Sequence, residues 1–231
     1  MDVHSEMVEV PGGMPAFVAW PDGGTHPAVL VIQEAFGLNA HIKDVTQRLA
    51  AEGYVALAPD LYWRGGKGRT VAYEDLGDAI RIMQTLRDDQ IVTDVGSAIA
   101  YLEKQPSVRA DRIGITGFCM GGRVSYLVAC ELPDKIKAAA PFYGGGIPVD
   151  KTAKLKAPVL AFFGEQDAFI PLEFVEELRR EAAKHRKQVE VVVYPGAGHG
   201  FFCNERSSYD PKAAADAWQR LKTLFATHLG K

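Results

Sequence analysis

Arg112-Ile-Gly-Ile-Thr-Gly-Phe-Cys-Met-Gly-Gly-Arg123 is the stretch that decides the fold. Ile113 and Ile115 alternate as in a strand, the run breaks at Gly117, and Val124, Leu127 and Val128 then follow a helical spacing. The pattern predicts strand, tight turn, helix, with Cys119 at the tip of the turn.

Cys119 stands between Gly117 and Gly121, a Gly-x-Cys-x-Gly spacing that places sulfur where a Gly-x-Ser-x-Gly nucleophile elbow has oxygen. Such a turn strains the backbone of its central residue, and side chains at the flanking positions would strike the strand and helix that it joins. The sulfur then faces the positive end of the following helix, which favours a thiolate. On its own the stretch also fits a buried structural cysteine in a glycine-rich turn.

Composition narrows the class. The 231 residues are 47% apolar and 24% charged with a net charge of −3, ordinary for a chain able to bury a large core, and a single domain over 1–231 is expected. The charge gives no reason to expect nucleic acid or an anionic membrane as partner. The start, Met1-Asp-Val-His-Ser-Glu6, lacks the basic and apolar regions of a secretory signal, and no apolar run approaches the roughly 18 residues that cross a bilayer. A cytoplasmic protein is expected, and a monomer, because no strongly apolar surface helix stands out. Cys119, Cys130 and Cys203 form no Cys-x-x-Cys pair, so free thiols are expected.

Strand and helix patterns alternate along the chain. An opening hairpin is expected over 5–10 and 14–20, then a buried strand over 27–33 that ends at Glu34 and a helix from Asn39. A strand over 54–58 follows, then a glycine-rich loop at 65–68 and helices over 72–87 and 90–104. Beyond the elbow come strands at 138–140, 158–163 and 189–194, with helices over 171–186 and 211–228. This alternation predicts an α/β fold, a mostly parallel sheet with helices on both faces, whose reactive groups collect at the carboxyl ends of the strands.

Four polar residues follow separate predicted strands: Glu34, Cys119, Asp167 and His199. Each has a blander reading, His199 as a turn histidine, Asp167 as a helix cap and Glu34 as a turn residue. Together they are more specific, because nucleophile, acid and histidine fall in the chain order of α/β-hydrolases. Cys119 would attack a carbonyl carbon, His199 would move protons and Asp167 would orient His199. The oxyanion needs two N–H donors, expected from Met120 and Ala35. The six histidines show no metal-ligand spacing, so neither metal nor cofactor is predicted.

At these residues the chain resembles the dienelactone hydrolase (carboxymethylenebutenolidase) family, a cysteine-dependent branch of the α/β-hydrolases. The resemblance runs from about residue 10 to the C-terminus. It rests on 33–39 (Gln-Glu-Ala-Phe-Gly-Leu-Asn), 58–61 (Ala-Pro-Asp-Leu), 117–122 (Gly-Phe-Cys-Met-Gly-Gly), 142–144 (Phe-Tyr-Gly), 164–167 (Gly-Glu-Gln-Asp) and 198–201 (Gly-His-Gly-Phe). It implies a triad of Cys119, Asp167 and His199 acting on a small ester or lactone. It also implies that Glu34 holds the resting thiol and deprotonates it when substrate arrives. The family's arginine clamp for a substrate carboxylate, one arginine of which lies in a His-Ser-Phe-Ala-Arg arrangement, is altered here: His199-Gly-Phe-Phe-Cys203 intervenes, leaving Arg206 and Arg64 as candidates. Phe36, Tyr62, Trp63, Tyr143, Phe169, Phe201 and Phe202 would form an aromatic pocket suited to uncharged aryl or cyclic esters. Two alternatives stay open, attack by the same thiolate on a thioester or phosphotriester, and a non-catalytic binding or redox-sensing role.

Overall fold

The computed structural model describes residues 2–230. Eight strands form one sheet in the order β1-β2-β4-β3-β5-β6-β7-β8, where β1 is Val3–Val10, β2 Met14–Pro21, β3 His26–Ile32, β4 Val55–Pro59, β5 Val108–Phe118, β6 Ala138–Phe142, β7 Val159–Gly164 and β8 Val189–Tyr194. The hairpin β1–β2 and the β2–β4 pair are antiparallel, and every later pairing is parallel. This is the α/β-hydrolase fold.

The parallel strands read as unbroken apolar runs because they are covered on both faces. All but the first residue of β3 are buried, as is all of β6 and β7. Helices α1 (Ala40–Ala51), α2 (Leu76–Met83), α3 (Asp88–Glu103), α4 (Met120–Glu131), α5 (Leu172–Lys184) and α6 (Pro211–Phe225) connect and cover the strands. Asn39 caps α1, its side-chain oxygen accepting from the Ile42 N–H at 3.2 Å.

Two boundaries differ from the sequence pattern for local reasons. The helix expected over 72–87 is only Leu76–Met83, because the preceding segment is tied to the loop after β3: the Val71 N–H donates to the Phe36 carbonyl at 3.0 Å. The closing helix stops at Phe225 and widens into a π turn over Ala226–Gly230. Among the described residues no helix is long and apolar enough to cross a membrane.

Candidate active site

The elbow between β5 and α4 explains its own sequence. Cys119 adopts φ +55° and ψ −117°, a conformation that costs a non-glycine residue about 1–3 kcal/mol. The neighbouring glycines are steric requirements. A Cβ at Gly117 would lie 2.1 Å from the Gly121 carbonyl oxygen, and one at Gly121 would lie 2.2 Å from that of Ile32. The turn is held from the next strand as well, where the Cys119 N–H donates to the Phe142 carbonyl at 3.1 Å.

Parallel topology brings the other loops to the same edge. Asp167 follows β7 and His199 follows β8; the His199 Nδ1 and Asp167 Oδ2 are 2.8 Å apart. The second Asp167 oxygen accepts from the Phe169 N–H at 2.9 Å, so the residue caps a turn and orients the imidazole at once. Its side chain is fully buried and that of His199 is 10% exposed. Burial opposes a charge on His199, yet its hydrogen bonds to Asp167 and Cys119 prevail and raise its pKa to about 9. Asp167, His199 and Cys119 thus form one connected line.

Glu34 lies elsewhere in this network. Its carboxylate, fully buried, takes Arg206 at 3.4 Å on one oxygen and the Tyr73 hydroxyl at 3.4 Å on the other. The resting contact implied by the family resemblance, thiol on Glu34, is replaced by thiol on His199. Burial pushes the Glu34 pKa up, and the cations Arg206 and His199 oppose it. Tyr73, which the sequence reading did not single out, also accepts from Asn39 at 2.9 Å and from Cys203 at 3.2 Å.

A cavity of about 410 Å³ opens over Cys119, Met120, His199 and Ala35. Ala35 and Met120 line the same cavity as Cys119. Tyr62 lies behind them: its hydroxyl donates to the Ala35 carbonyl at 2.8 Å and packs near the Met120 sulfur.

The expected aromatic pocket is corrected in most of its members. Only Phe36 and Phe169 line the cavity. Tyr143, Phe201 and Phe202 belong to the core beneath, where Tyr143 packs its ring against His199 at 5.1 Å between centroids. Trp63 and Arg64 are drawn away by Asp94, which accepts from the Trp63 indole at 3.2 Å and pairs with both terminal nitrogens of Arg64. Arg64 is therefore not a clamp for a ligand in this cavity. Arg206 does line it.

Most of the remaining wall is apolar: Leu76, Ile80 and Met83 from α2, with Leu86, Ile91 and Val124. Positions 76, 80 and 83 were legible as an amphipathic stripe, but nothing in sequence pointed that stripe at Cys119. Arg123 also borders the cavity, pinned by Asp88 through two hydrogen bonds of 2.8 and 2.9 Å and by the Gly146 carbonyl at 3.1 Å.

The chain is similar to known proteins along nearly its whole length. The dienelactone hydrolase family profile matches residues 14–229. A protein of Synechocystis sp. that carries the provisional name carboxymethylenebutenolidase is 40% identical over 99% of both chains. A Bradyrhizobium sp. protein provisionally named a 2-oxo-3-(5-oxofuran-2-ylidene)propanoate lactonase is 36% identical, covering 89% of this chain and 86% of its own. A crystal structure from Klebsiella pneumoniae, provisionally titled a dienelactone hydrolase, superposes with a TM-score of 0.92 at 36% identity, covering 99% of this chain and 100% of its own.

Proposed function

The chain belongs to the dienelactone hydrolase family and is a hydrolase of lactones or esters; on that premise we propose that Cys119 is its nucleophile, His199 and Asp167 complete the triad, and the substrate is small, uncharged and apolar. The observation that carries the reading is the 2.8 Å contact between His199 and Asp167 beside Cys119 on the cavity floor.

The chemistry follows from these positions. The Cys119 thiol passes its proton to His199 and its sulfur adds to the carbonyl carbon, and the electron pair displaced onto oxygen is received by the N–H groups of Ala35 and Met120, each such donor contributing roughly 10²–10³ in rate. Collapse expels the alkoxide, which takes its proton from the His199 imidazolium. The thioester left on Cys119 is cleaved when neutral His199 deprotonates a water. Asp167 keeps Nδ1 protonated throughout and stabilises the charge on the ring. No step calls for a cofactor.

Charge recognition is the finer part of the proposal. Both arginines that border the cavity face carboxylates of the protein, Arg206 on Glu34 and Arg123 on Asp88. A substrate carboxylate would have to displace one of them, whereas a neutral apolar ester meets aliphatic walls. Mass spectrometry during turnover of a slow aryl ester tests the nucleophile: an acyl adduct on the peptide containing Cys119 is expected, and its absence together with unchanged kcat/KM in Cys119→Ala would sink the reading. Lactones of equal size with and without a carboxylate test the pocket, the neutral one being the better substrate in kcat/KM.

A further inference from the structure

Behind the cavity, three side chains of ligand type meet. Glu34 follows β3, His41 lies in the first turn of α1 and Cys203 lies in the loop after β8. One carboxylate oxygen, one ring nitrogen and the sulfur all lie within 4.8 Å of one another, and all three residues are buried. Sequence spacing could not show this, since His41 and Cys203 are 162 positions apart (203 − 41) and meet only because both flank the carboxyl edge of the sheet.

His41 is the member that the fold leaves unexplained. It is 1% exposed, yet neither ring nitrogen has a hydrogen-bond partner in the protein. Leaving a buried polar atom unpaired is costly, and native interiors rarely do it without a ligand, water or function. Glu34 and Cys203 are both engaged, through Arg206 and Tyr73. The His41 ring is fixed edge-on to Phe118 and Phe202, at 5.8 and 6.2 Å between centroids.

We propose that Glu34, His41 and Cys203 form a buried binding site for one divalent transition-metal ion of the Zn²⁺ class. The donor set decides the class: one thiolate, one imidazole and one carboxylate suit a borderline ion, whereas Mg²⁺ and Ca²⁺ prefer oxygen alone. Bonds of about 2.0–2.3 Å in a tetrahedron place donors roughly 3.3–3.7 Å apart, so the three side chains must close by about an ångström. On binding, the Cys203 thiol releases its proton to solvent and the thiolate joins the Glu34 carboxylate in neutralising the ion. Glu34 exchanges Arg206 for the metal, and the guanidinium, 16% exposed, is released toward the cavity. Tyr73, hydrogen-bonded to both Cys203 and Glu34, orients these two ligands from outside.

The test uses the full chain carrying Cys119→Ala, so that the catalytic thiol offers no competing site. Zn²⁺ is titrated by calorimetry and Co²⁺ by absorption. One equivalent is expected, with a sulfur-to-cobalt charge-transfer band. Adding Cys203→Ser removes that band and weakens Zn²⁺ binding by about 100-fold or more, since losing a ligand costs at least as much as losing an outer partner of one. His41→Leu weakens it similarly, and circular dichroism confirms that each variant is folded. Absence of Zn²⁺ binding at micromolar concentration, or a band and affinity indifferent to Cys203→Ser, overturns the proposal and leaves the cluster a site for water.

Discussion

Gly200 lies directly beneath the guanidinium of Arg206: a Cβ at position 200 would stand 2.3 Å from Arg206 Nη1. The residue after His199 is therefore small because an arginine must cross it to reach Glu34. It also has φ +79°, which few side chains adopt. Gly200→Ala is expected to cost about 1–2 kcal/mol by backbone strain alone. It should also expel Arg206 from Glu34, so that the loss exceeds the strain term in urea denaturation.

Arg206→Gln tests the partner. It leaves the fully buried Glu34 carboxylate with Tyr73 but without its ion-pair partner. Removing one partner of a buried pair costs about 3 kcal/mol. Glu34 already has a raised pKa, and losing Arg206 raises it further. A group with a raised folded-state pKa is best tolerated when protonated, so the destabilisation should be largest at alkaline pH and shrink as pH falls through the Glu34 pKa. A loss independent of pH would show that Glu34 does not carry the effect.

The His199 pKa of about 9 makes a titration prediction. It stands above the value of an unfolded histidine, so the stability it contributes is complete below about pH 6.5 and is lost as pH rises through about 9. Asp167→Asn removes the carboxylate that holds the ring and should lower that pKa by about one unit or more, read by NMR of the imidazole protons. If deacylation uses neutral His199 as base, the alkaline rise of kcat moves down with it.

The apolar stripe of α2 predicts a size-dependent effect. Ile80 borders the cavity and is 36% exposed, so Ile80→Ser trims apolar contact without opening the core. Each buried methylene contributes about 0.8 kcal/mol. KM for a butyryl or hexanoyl ester should rise several-fold while that of an acetyl ester stays nearly constant. Equal changes for all chain lengths would place the acyl group elsewhere.

At the elbow, Gly121→Ala is expected to be among the most damaging single methyl additions. The new Cβ meets the backbone oxygens of Ile32 and Gln33 at 2.2 and 2.6 Å, atoms that cannot give way without moving β3. Loss of soluble folded protein is expected, whereas Gly146→Ala, with no atom within 4 Å of its Cβ, should pay only for its φ of +65°.

Much of this protein was written in local pattern. The unbroken apolar runs of β3, β6 and β7, the Asn39 cap and the glycines around Cys119 are each decided within a few residues by burial, hydrogen bonding or steric contact, and they determined strand order type, elbow and family. The approach of Asp167 and His199 was also legible, because loops after parallel strands share one edge. What lay outside local pattern was the choice among partners. Whether Arg64 or Arg206 reached the cavity depended on Asp94, thirty positions from Arg64, and on the room that Gly200, lacking a side chain, leaves for the Arg206 guanidinium. Which aromatic rings were wall and which were core depended on how α2 and α3 covered the site. The sequence by itself determined the fold and the strained turn at Cys119, since secondary structure and turn sterics act over short range; tertiary structure alone decided where each charge is neutralised and how His41 meets Cys203, since burial and ion pairing act across space regardless of distance along the chain.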